Sequence, residues 1–393
     1  MLAHGPRLAL SRGVYNAPMA VLFWASVAIV VYTYVVYPAA VYLASRFRPE
    51  RAPVTPSQPA VSVVISLYNE EMNVEAKIAS LRALDYPPGL VQILIGSDGS
   101  TDRTNERLRR QSALHPITVV CREERAGKPA MLNTLVPLAT GDLLVFTDAR
   151  QRLDASALRE LTKHFEDPGI GSVSGELRFE DVSGKPAGVG LYWEYEKFIR
   201  RSESRLSSML GATGALYAIR RELFTPVPAD LVLDDVFIPL KAVEKGYRAI
   251  FEPAARIYDR IAGSARAEFA RKSRTLAGNF QLLQYFPWAV NPFAGVVAWQ
   301  YFSHKVLRLF VPYCLLAVFG TNLFLLGTAF YGATFAAQAA FYLCAIAGAF
   351  TNRPTRLFDV PHMFCVMNGA AVVGLYRFLA GSQGAVWQKA DGR

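Results

Sequence analysis

Short apolar segments and helix-length polar patterns alternate through the middle of this chain, and the alternation predicts its secondary structure. Five apolar runs are short enough to be buried strands, at residues 61–66, 91–96, 117–120, 143–146 and 171–174. Strands that alternate with helices in this way are typical of βαβ units built around a parallel sheet. We therefore expect a parallel-rich α/β domain between the two ends of the chain.

Much longer apolar segments lie towards both ends of the chain. Residues 17–44 include no charged residue, and this length exceeds the ~20 residues that an α-helix needs to cross a bilayer. The uncharged stretch 309–352 is long enough for two spans, which the pattern separates near Tyr331 and Gly332. Residues 360–379 form a fourth candidate, and a helix lying in the membrane interface is the alternative because the segment includes His362 and Arg377. The chain is thus expected to combine the α/β domain with about four transmembrane helices.

The positive net charge of the chain indicates an anionic partner but does not identify which kind. The 42 lysines and arginines against 32 acidic residues give a formal net charge of +10. Such a balance suits nucleic acid, anionic lipid or a phosphorylated substrate. No basic run is interleaved with aromatic residues that stack on bases, so nucleic acid is not an expected partner. The four cysteines lack metal-ligand spacing, so a cysteine-bound metal is not expected either.

Polar residues follow three of the predicted strands directly. Tyr68 and Glu70 follow the first run, Asp98 follows the second, and Asp148 follows the fourth. Ligands of parallel α/β sheets bind at the carboxyl ends of the strands. Carboxylates there accept hydrogen bonds from a base and ribose, or hold a divalent cation against a pyrophosphate. The three strand ends together favour a nucleotide site, although a single aspartate after a strand is more often a helix cap, a role for which Asp102 is a candidate.

Six segments, read in chain order, resemble the motifs of family 2 glycosyltransferases with a GT-A fold. These segments are VVISLYNEE, SDGSTD, GKPAMLNT, VFTDAR, GATGALYAIRREL and LDDVFIPLKAVEKGYR, and they lie between residues 61 and 251. The flanking apolar helices look like those of processive polysaccharide synthases such as cellulose, hyaluronan and chitin synthases. The resemblance implies a multi-pass enzyme of the cytoplasmic (inner) membrane, with its catalytic domain in the cytoplasm.

The same resemblance divides the chain into four parts. Residues 1–45 would form an N-terminal transmembrane helix, and residues 46–280 a cytoplasmic GT-A glycosyltransferase domain. Residues 281–305, which are rich in aromatic residues and interrupted by prolines, would form amphipathic helices in the membrane interface. Residues 306–393 would contain the C-terminal transmembrane helices.

The resemblance assigns a role in donor binding to each polar strand end. Tyr68 and Glu70 would border the uracil and the ribose of a UDP-sugar, and Asp98 would hydrogen-bond the base. Lys128, in the GKPAMLNT segment, would lie near the donor phosphates, and a solvated surface charge is the alternative for this lysine. Asp148 would be the first Asp of the Asp-x-Asp motif, at the pyrophosphate and at a bound Mg²⁺ or Mn²⁺.

Two segments depart from the family pattern. Arg150 stands where the Asp-x-Asp motif has its second aspartate, and an arginine cannot ligate a cation, so a metal would have one protein carboxylate fewer. The segment RKSRT stands in place of the Gln-x-x-Arg-Trp motif. Arg274 would match its arginine and bind the donor diphosphate, whereas Thr275 replaces the tryptophan that lies beneath the acceptor in processive enzymes. Contact with anionic lipid is the alternative for this basic segment.

Asp234 and Asp235 correspond to the acidic motif that supplies the catalytic base in this family. The carboxylate of Asp235 would remove the proton from an acceptor hydroxyl as that hydroxyl attacks the anomeric carbon opposite the leaving nucleotide. A single displacement of this kind inverts the configuration and forms no covalent intermediate. The alternative is that both aspartates cap a helix that starts at Val236.

A segment of small residues resembles the place where related enzymes hold the acceptor sugar. Its members are Thr213, Gly214 and Ala215. Small side chains allow a saccharide to approach the backbone closely. A plain turn before the next strand is the alternative for this segment.

The function that these motifs favour is inverting transfer from a nucleotide-sugar donor to a growing polysaccharide at the cytoplasmic membrane face. The expected partners are a nucleotide-sugar, a glycan or lipid-linked acceptor, and membrane lipids; coupled export would add an accessory subunit. One alternative is non-processive transfer of a single sugar to a polyprenyl-linked acceptor. Another is a transporter with a regulatory nucleotide-binding domain, which the scarcity of ionisable residues in the apolar segments disfavours.

Overall fold

The chain divides into two compact units. The computed structural model describes residues 7–49, 58–180, 191–260, 265–351, 355–382 and 384. The larger unit comprises Val41–Ala267 with Ala380–Arg393, and the smaller comprises Met1–Ala40 with Glu268–Leu379. The larger unit contains the β-sheet, and the smaller contains most of the long apolar helices.

The larger unit is built on an eight-stranded mixed sheet. The strands are β1 (Val61–Leu67), β2 (Val91–Asp98), β3 (Ile117–Arg122), β4 (Leu143–Thr147), β5 (Arg152–Leu153), β6 (Ile170–Glu180), β7 (Leu216–Arg220) and β8 (Arg248–Arg260). Their order across the sheet is β3-β2-β1-β4-β7-β6-β8-β5. The first four strands in that order are parallel, β7 is antiparallel to both β4 and β6, and β6 is parallel to β8.

Thirteen α-helices occur in the described residues. They are α1 (Arg7–Val31), α2 (Tyr37–Arg46), α3 (Val74–Arg82), α4 (Thr104–Leu114), α5 (Lys128–Leu135), α6 (Ala157–Thr162), α7 (Leu191–Leu206), α8 (Asp234–Glu244), α9 (Ala265–Tyr285), α10 (Val296–Tyr301), α11 (Leu307–Leu325), α12 (Ala329–Phe350) and α13 (Arg356–Leu379). Helices α3 to α6 alternate with the strands, so the predicted α/β class is confirmed.

The central strands are buried on both faces, which explains why their sequences read as continuous apolar runs. Val63 and Ile65 of β1 and Val145 of β4 have no exposed surface, and Ile78 of α3 packs in the same core cluster. Each side chain of this size stabilises the fold by about 1.5–3 kcal/mol when it is fully buried. The five predicted strands all appear, and β6 extends six residues beyond its predicted end.

The strand order brings the predicted polar residues to one edge of the sheet. β1 lies between β2 and β4 and runs parallel to both, so their carboxyl ends meet at the same edge. β7 runs antiparallel to β4, with Leu216 opposite Thr147. The residues that precede β7 therefore lie beside the residues that follow β4.

Four helical segments among the described residues are long and apolar enough to cross a membrane. They are Ala17–Arg46, Val296–Leu325, Ala329–Phe350 and Arg356–Leu379. The predicted division of the uncharged stretch near Tyr331 and Gly332 is wrong by a few residues, because both lie inside α12 and the helix is interrupted at 326–328. Gly327 lies in that interruption, where a residue without a side chain favours the break.

Two of these segments contain a π-helical turn, and the two turns contact each other within the smaller unit. One turn is Tyr32–Val36 and the other is Phe302–Val306. Pro38 follows the first turn and has no N–H to donate to the preceding turn, which is a common cause of such a widening. The hydroxyls of Tyr32 and Ser303 are 2.8 Å apart, so the two turns are joined by a hydrogen bond.

Candidate active site

Tyr68 and Glu70 follow β1 and remain partly exposed at the edge of the sheet. The guanidinium of Arg125 lies over the Tyr68 ring, 3.4 Å from its centroid, which is a cation–π contact. The backbone N–H of Glu70 donates to Thr104 Oγ1 at 2.8 Å, and its carboxylate accepts a hydrogen bond from the Asn73 amide. Both side chains thus have a partner within the protein and remain partly exposed.

Asp98 ends β2 and anchors the loop that leads into α5. Its side chain is almost fully buried, and its carboxylate accepts the backbone N–H groups of Ala126 at 3.0 Å and Gly127 at 2.6 Å. Gly99 adopts a left-handed φ of 65°, and a Cβ there would lie 2.5 Å from the backbone nitrogen of Arg125. Asp98 therefore holds this loop against the strand, while its predicted contact with a base stays a prediction.

Asp102 is not the N-cap of α4, which is Arg103, but its side chain accepts a backbone N–H of the first turn. Its Oδ1 accepts the N–H of Thr104 at 2.9 Å, at the start of α4. Its Oδ2 accepts the N–H of Glu71 at 3.2 Å, which ties the end of β1 to the end of β2. This aspartate is therefore explained by local structure.

Lys128 lies between the aspartate after β4 and the first aspartate of α8. Its ammonium is 3.2 Å from Asp148 Oδ1 and 3.2 Å from Asp234 Oδ2. Burial lowers the pKa of Lys128, but the carboxylates of Asp148, Asp234 and Asp235 outweigh that effect and raise the pKa well above its usual range. A solvated surface charge does not describe this lysine, because it is a permanent cation held between two carboxylates.

Asp235 has an acidity suited to a general base. Burial, followed by the neighbouring carboxylate of Asp234, raises the pKa of Asp235 to about 6, although the charges of Lys128 and Arg200 oppose the shift. A base is most effective when its pKa lies close to the working pH. The environment of Asp235 therefore fits the role that the sequence predicted for it.

The alternative that Asp234 and Asp235 cap a helix starting at Val236 is wrong. Helix α8 begins at Asp234, Leu233 is the residue before its first turn, and no side chain caps it. Both aspartates lie inside the first turn, where the partial positive charge of the helix end favours carboxylates.

The predicted acceptor segment lies directly against Asp235. A Cβ on Gly214 would be 2.8 Å from Asp235 Oδ2, so only glycine leaves the carboxylate in its place. Thr213 Oγ1 accepts a hydrogen bond from Arg200 at 2.6 Å. Ala215 is 5% exposed and packs in the hydrophobic core. The contact of these residues with an acceptor stays a prediction, and Arg200 is an addition that no motif indicated.

Arg150 is bound to a carboxylate from β8, the strand that pairs with β5 just after this arginine. Its guanidinium forms an ion pair with Asp259 of β8, whose side chain is 3% exposed. The Gln151 amide also donates to Asp259 Oδ2 at 3.1 Å. Arg150 therefore neutralises a buried aspartate, a partner that lies 109 residues away in the chain.

The described residues do not build a complete cation site by themselves. No group of three or more His, Cys, Asp or Glu side chains among them could hold a metal ion. Asp148 is the carboxylate that remains available, with its side chain 41% exposed. Mg²⁺ uses one or two carboxylates together with substrate phosphates and water, so this arrangement fits a cation only when a diphosphate supplies further oxygens.

Lys77 is a buried cation-forming residue that sequence reasoning missed. It is 3% exposed, and its ammonium nitrogen donates to Thr147 Oγ1 at 2.8 Å and to the Gln151 carbonyl at 3.0 Å. Burial lowers the pKa of Lys77 to about 7, although Asp148 opposes the shift. Lys77 thus braces the segment that includes Asp148 and Arg150. Lys77 lies on the same face of α3 as the buried residues Val74, Ile78 and Leu81. Its place in that apolar pattern was the signal in the sequence that predicts a buried lysine.

Tyr217 also lies near Asp148, Asp234 and Asp235, and no sequence motif indicated it. Its ring is fully buried and stacks on Phe146 with centroids 4.9 Å apart. Burial and the charges of Asp234, Asp235 and Asp148 raise the pKa of its hydroxyl. Among the described residues, this hydroxyl has no hydrogen-bond partner.

Arg274 lies in α9, in the smaller unit of the chain. The exposed hydroxyl of Thr275, which replaces the expected tryptophan, donates to the Arg271 carbonyl within the same helix at 3.1 Å. The predicted contact of Arg274 with the donor diphosphate stays a prediction.

Comparison with known proteins shows what this site is similar to. Residues 62–226 match the family model for glycosyl transferase family 2. Poly-beta-1,6-N-acetyl-D-glucosamine synthases from Staphylococcus aureus (strain COL) and Staphylococcus epidermidis are each 24% identical to the chain over 230 residues. The match covers 57% of the chain and 55% of each relative, so the chain spans about half the length of these curated relatives.

A solved structure covers more of the chain. The mannosyltransferase PcManGT from Pyrobaculum calidifontis, determined in complex with GDP-Man and Mn²⁺, aligns with a TM-score of 0.71 and 24% sequence identity. The alignment covers 91% of this chain and 99% of that chain, which establishes the common GT-A fold. Residues 62–226 match the glycosyl transferase family 2 model, the chain has the GT-A fold, and its described residues include four helices long and apolar enough to cross a membrane.

Proposed function

We propose that this protein is a glycosyltransferase and that it transfers sugar from a nucleotide-sugar, in the first place a UDP-sugar, to a growing polysaccharide with inversion at the anomeric carbon. The observation that supports this most strongly is the environment of Asp235. A partly buried carboxylate with a pKa raised to about 6 lies against Gly214, in the segment proposed to hold the acceptor. That combination suits removal of a proton from a sugar hydroxyl at neutral pH.

The reaction proposed for this site is one displacement. The Asp235 carboxylate accepts the proton of the acceptor hydroxyl as the hydroxyl oxygen attacks the anomeric carbon of the donor. The bond between that carbon and the nucleotide diphosphate breaks on the opposite face, so the configuration inverts. Asp234 raises the basicity of Asp235 through its charge, while Lys128 places a permanent positive charge next to both Asp148 and Asp234.

The donor is proposed to lie along the carboxyl ends of β1, β2 and β4. Tyr68 and Glu70 would contact the base and ribose, and Asp98 would fix both the base and the loop before Lys128. Asp148 is the residue that would hold a divalent cation together with the donor diphosphate. Such a cation, when bound, would neutralise the charge on the departing diphosphate. Mn²⁺ accompanies GDP-Man in the related mannosyltransferase structure.

A second candidate function is the addition of a single sugar to a lipid-linked acceptor. Thr275 and its exposed hydroxyl occupy the place of the tryptophan that underlies the acceptor in processive enzymes, which favours non-processive transfer. The mannosyltransferase whose fold matches 91% of this chain was solved with GDP-Man. The second candidate function therefore includes a GDP-sugar as the donor. The curated relatives, by contrast, are polysaccharide synthases.

One experiment separates these candidates. Purified full-length protein is incubated with a panel of UDP- and GDP-sugars, with membrane lipid extract as the source of acceptor, and the product is sized. A long polymer from one UDP-sugar supports the leading proposal, and a single addition to lipid supports the second. An Asp235→Asn variant in parallel keeps the side-chain shape without the basicity, so transfer should fall at least 100-fold while UDP affinity stays within about twofold. Transfer close to the wild-type rate in this variant would contradict the assignment of the base.

We propose further that the larger unit faces the cytoplasm, where nucleotide-sugars are available, and that the four apolar helices anchor it in the cytoplasmic membrane. Cys121 provides a test because it is free and exposed in the larger unit. In sealed inside-out vesicles a membrane-impermeant maleimide should label Cys121, and in intact cells it should not. Labelling in intact cells alone would contradict this orientation.

A further inference from the structure

A cavity of about 540 Å³ in the larger unit is lined by four arginines, and Asp148, Asp234 and Asp235 are not among its lining residues. The arginines are Arg48, Arg201, Arg205 and Arg248, and none of the described residues that line the cavity is acidic. Its volume falls within the ~300–1,000 Å³ range of small-ligand pockets. The remaining lining includes the apolar side chains of Leu206 and Phe251.

The arginines converge from three separate elements. Arg48 follows α2, Arg201 and Arg205 lie on α7, and Arg248 begins β8. Arg205 donates to the Arg48 carbonyl at 3.3 Å, which joins the chain after α2 to α7. Arg248 donates to the carbonyls of Ser207 at 2.8 Å and Ser204 at 3.1 Å. The cavity wall is therefore held together by hydrogen bonds from guanidinium groups to backbone carbonyls.

This concentration of positive charge carries an electrostatic cost. Burial lowers the pKa of Arg248, the carboxylate of Asp167 opposes the shift, and the nearby charge of Arg48 lowers the pKa further. Arg201 reaches a carboxylate, Glu176, at 3.5 Å, but Glu176 also contacts Arg178 at 2.9 Å and Lys197 at 3.4 Å. An anion in the cavity would relieve the repulsion, and planar guanidinium groups bind phosphate with two parallel hydrogen bonds.

The chain itself puts this cavity close to a membrane surface. Arg48 is two residues beyond Arg46, the last residue of a segment long and apolar enough to cross a bilayer. Two residues reach at most about 7 Å. Phe47, between them, is 88% exposed, and Leu43 one turn earlier is 58% exposed, which is typical of side chains that contact lipid.

We infer that the four-arginine cavity binds the phosphate of an anionic membrane lipid, with Leu206 and Phe251 against the apolar part next to the headgroup. Juxtamembrane arginines and lysines are attracted to anionic headgroups generally. Here the charge lines a cavity of defined shape, so binding is specific for a headgroup and does not depend on surface potential alone. This inference concerns lipid binding and does not depend on which sugar the enzyme transfers.

The test uses the detergent-solubilised full chain without any sugar donor. Dioctanoyl phosphatidylglycerol, dioctanoyl phosphatidylcholine and inorganic phosphate are titrated separately, and dissociation constants are measured. The variant Arg48→Gln/Arg201→Gln removes two charges from the cavity at exposed positions. The control Arg109→Gln/Arg110→Gln removes two charges from the exposed face of α4, which packs beside β3 at the other end of the sheet. Thermal unfolding verifies that both variants are folded.

The expected result is that wild type binds phosphatidylglycerol at least tenfold more tightly than phosphatidylcholine. The cavity variant should lose at least tenfold in affinity for phosphatidylglycerol, and the control variant should stay within twofold of wild type. Equal losses in both variants would mean that attraction is non-specific and would overturn the inference. Inorganic phosphate that binds as tightly as phosphatidylglycerol would overturn the assignment to a lipid.

Discussion

Gly214 and Asp235 are in direct contact, and the contact leaves no room for a side chain on the glycine. A Cβ at position 214 would lie 2.8 Å from Oδ2 and 3.3 Å from Cγ of the Asp235 carboxylate. The glycine is therefore needed for space, and any larger residue must displace the carboxylate that we assign as the base.

Gly214→Ala is expected to lower kcat by about 100-fold, because a displacement of ~1 Å at a reacting group has an effect of that order. UDP affinity should stay within about twofold of wild type, since the substitution acts on the acceptor side. The matched control is Gly89→Ala, where a Cβ meets no atom within 4 Å. An unchanged kcat in Gly214→Ala would mean that Asp235 is not positioned by this contact.

The pH dependence of turnover should reflect the acidity of Asp235. Because the base must be unprotonated and its pKa is raised to about 6, kcat/KM should fall about tenfold per pH unit below pH 6. The charge of Asp234 raises this pKa and the charge of Arg200 lowers it. Asp234→Asn should therefore move the acidic limb to lower pH, and Arg200→Gln should move it to higher pH. A purely structural defect would lower the rate without moving the limb in these opposite directions.

Arg150→Asp should destabilise the protein and should not by itself restore a metal-binding Asp-x-Asp motif. The substitution leaves Asp259, which is 3% exposed, without its cation and adds a second carboxylate nearby. The cost of leaving such a buried group unpaired is about 1–3 kcal/mol, so the thermal midpoint should drop by several degrees. The control is Arg159→Asp, whose partner Asp85 is 61% exposed, and little change is expected there.

The double variant Arg150→Asp/Asp259→Asn should recover most of that stability, because the neutral amide no longer requires a cation. Mn²⁺ titration of this variant then tests whether a second carboxylate creates a cation site in the absence of nucleotide. A double variant as unstable as the single one would contradict the ion pair as the cause.

Lys77→Met should make stability less dependent on pH. Burial lowers the pKa of Lys77 to about 7, below its value in the unfolded chain, so between pH 7 and about 10 the unfolded state binds a proton that the folded state does not. Wild-type stability should gain up to ~1.4 kcal/mol per pH unit from this residue across that window. Thermal midpoints measured from pH 7 to 9.5 should rise less steeply in Lys77→Met than in wild type, and parallel curves would contradict the assignment.

Local patterns in the sequence determined the elements of this protein and the chemistry at their ends. The apolar runs predicted β1, β2, β3, β4 and the start of β6, since burial on both faces requires continuous apolar residues in a parallel strand. Apolar segments of about 20 residues or more predicted the four helices, because bilayer thickness sets that length. The positions of Asp98, Asp148 and Asp235 followed from the motifs in which they lie.

Tertiary structure alone decided which partners the charged side chains contact. Asp259 lies 109 residues from Arg150, Lys77 lies 70 residues from Thr147, and neither pair has a local signal. Tyr217 comes beside the aspartates only because β7 pairs with β4 in one register. Burial and the distance between charges set the pKa of Lys77 and Asp235, and both depend on contacts between segments far apart in the chain. A sequence motif specifies a residue type at a position, whereas the electric field at that position comes from the whole fold.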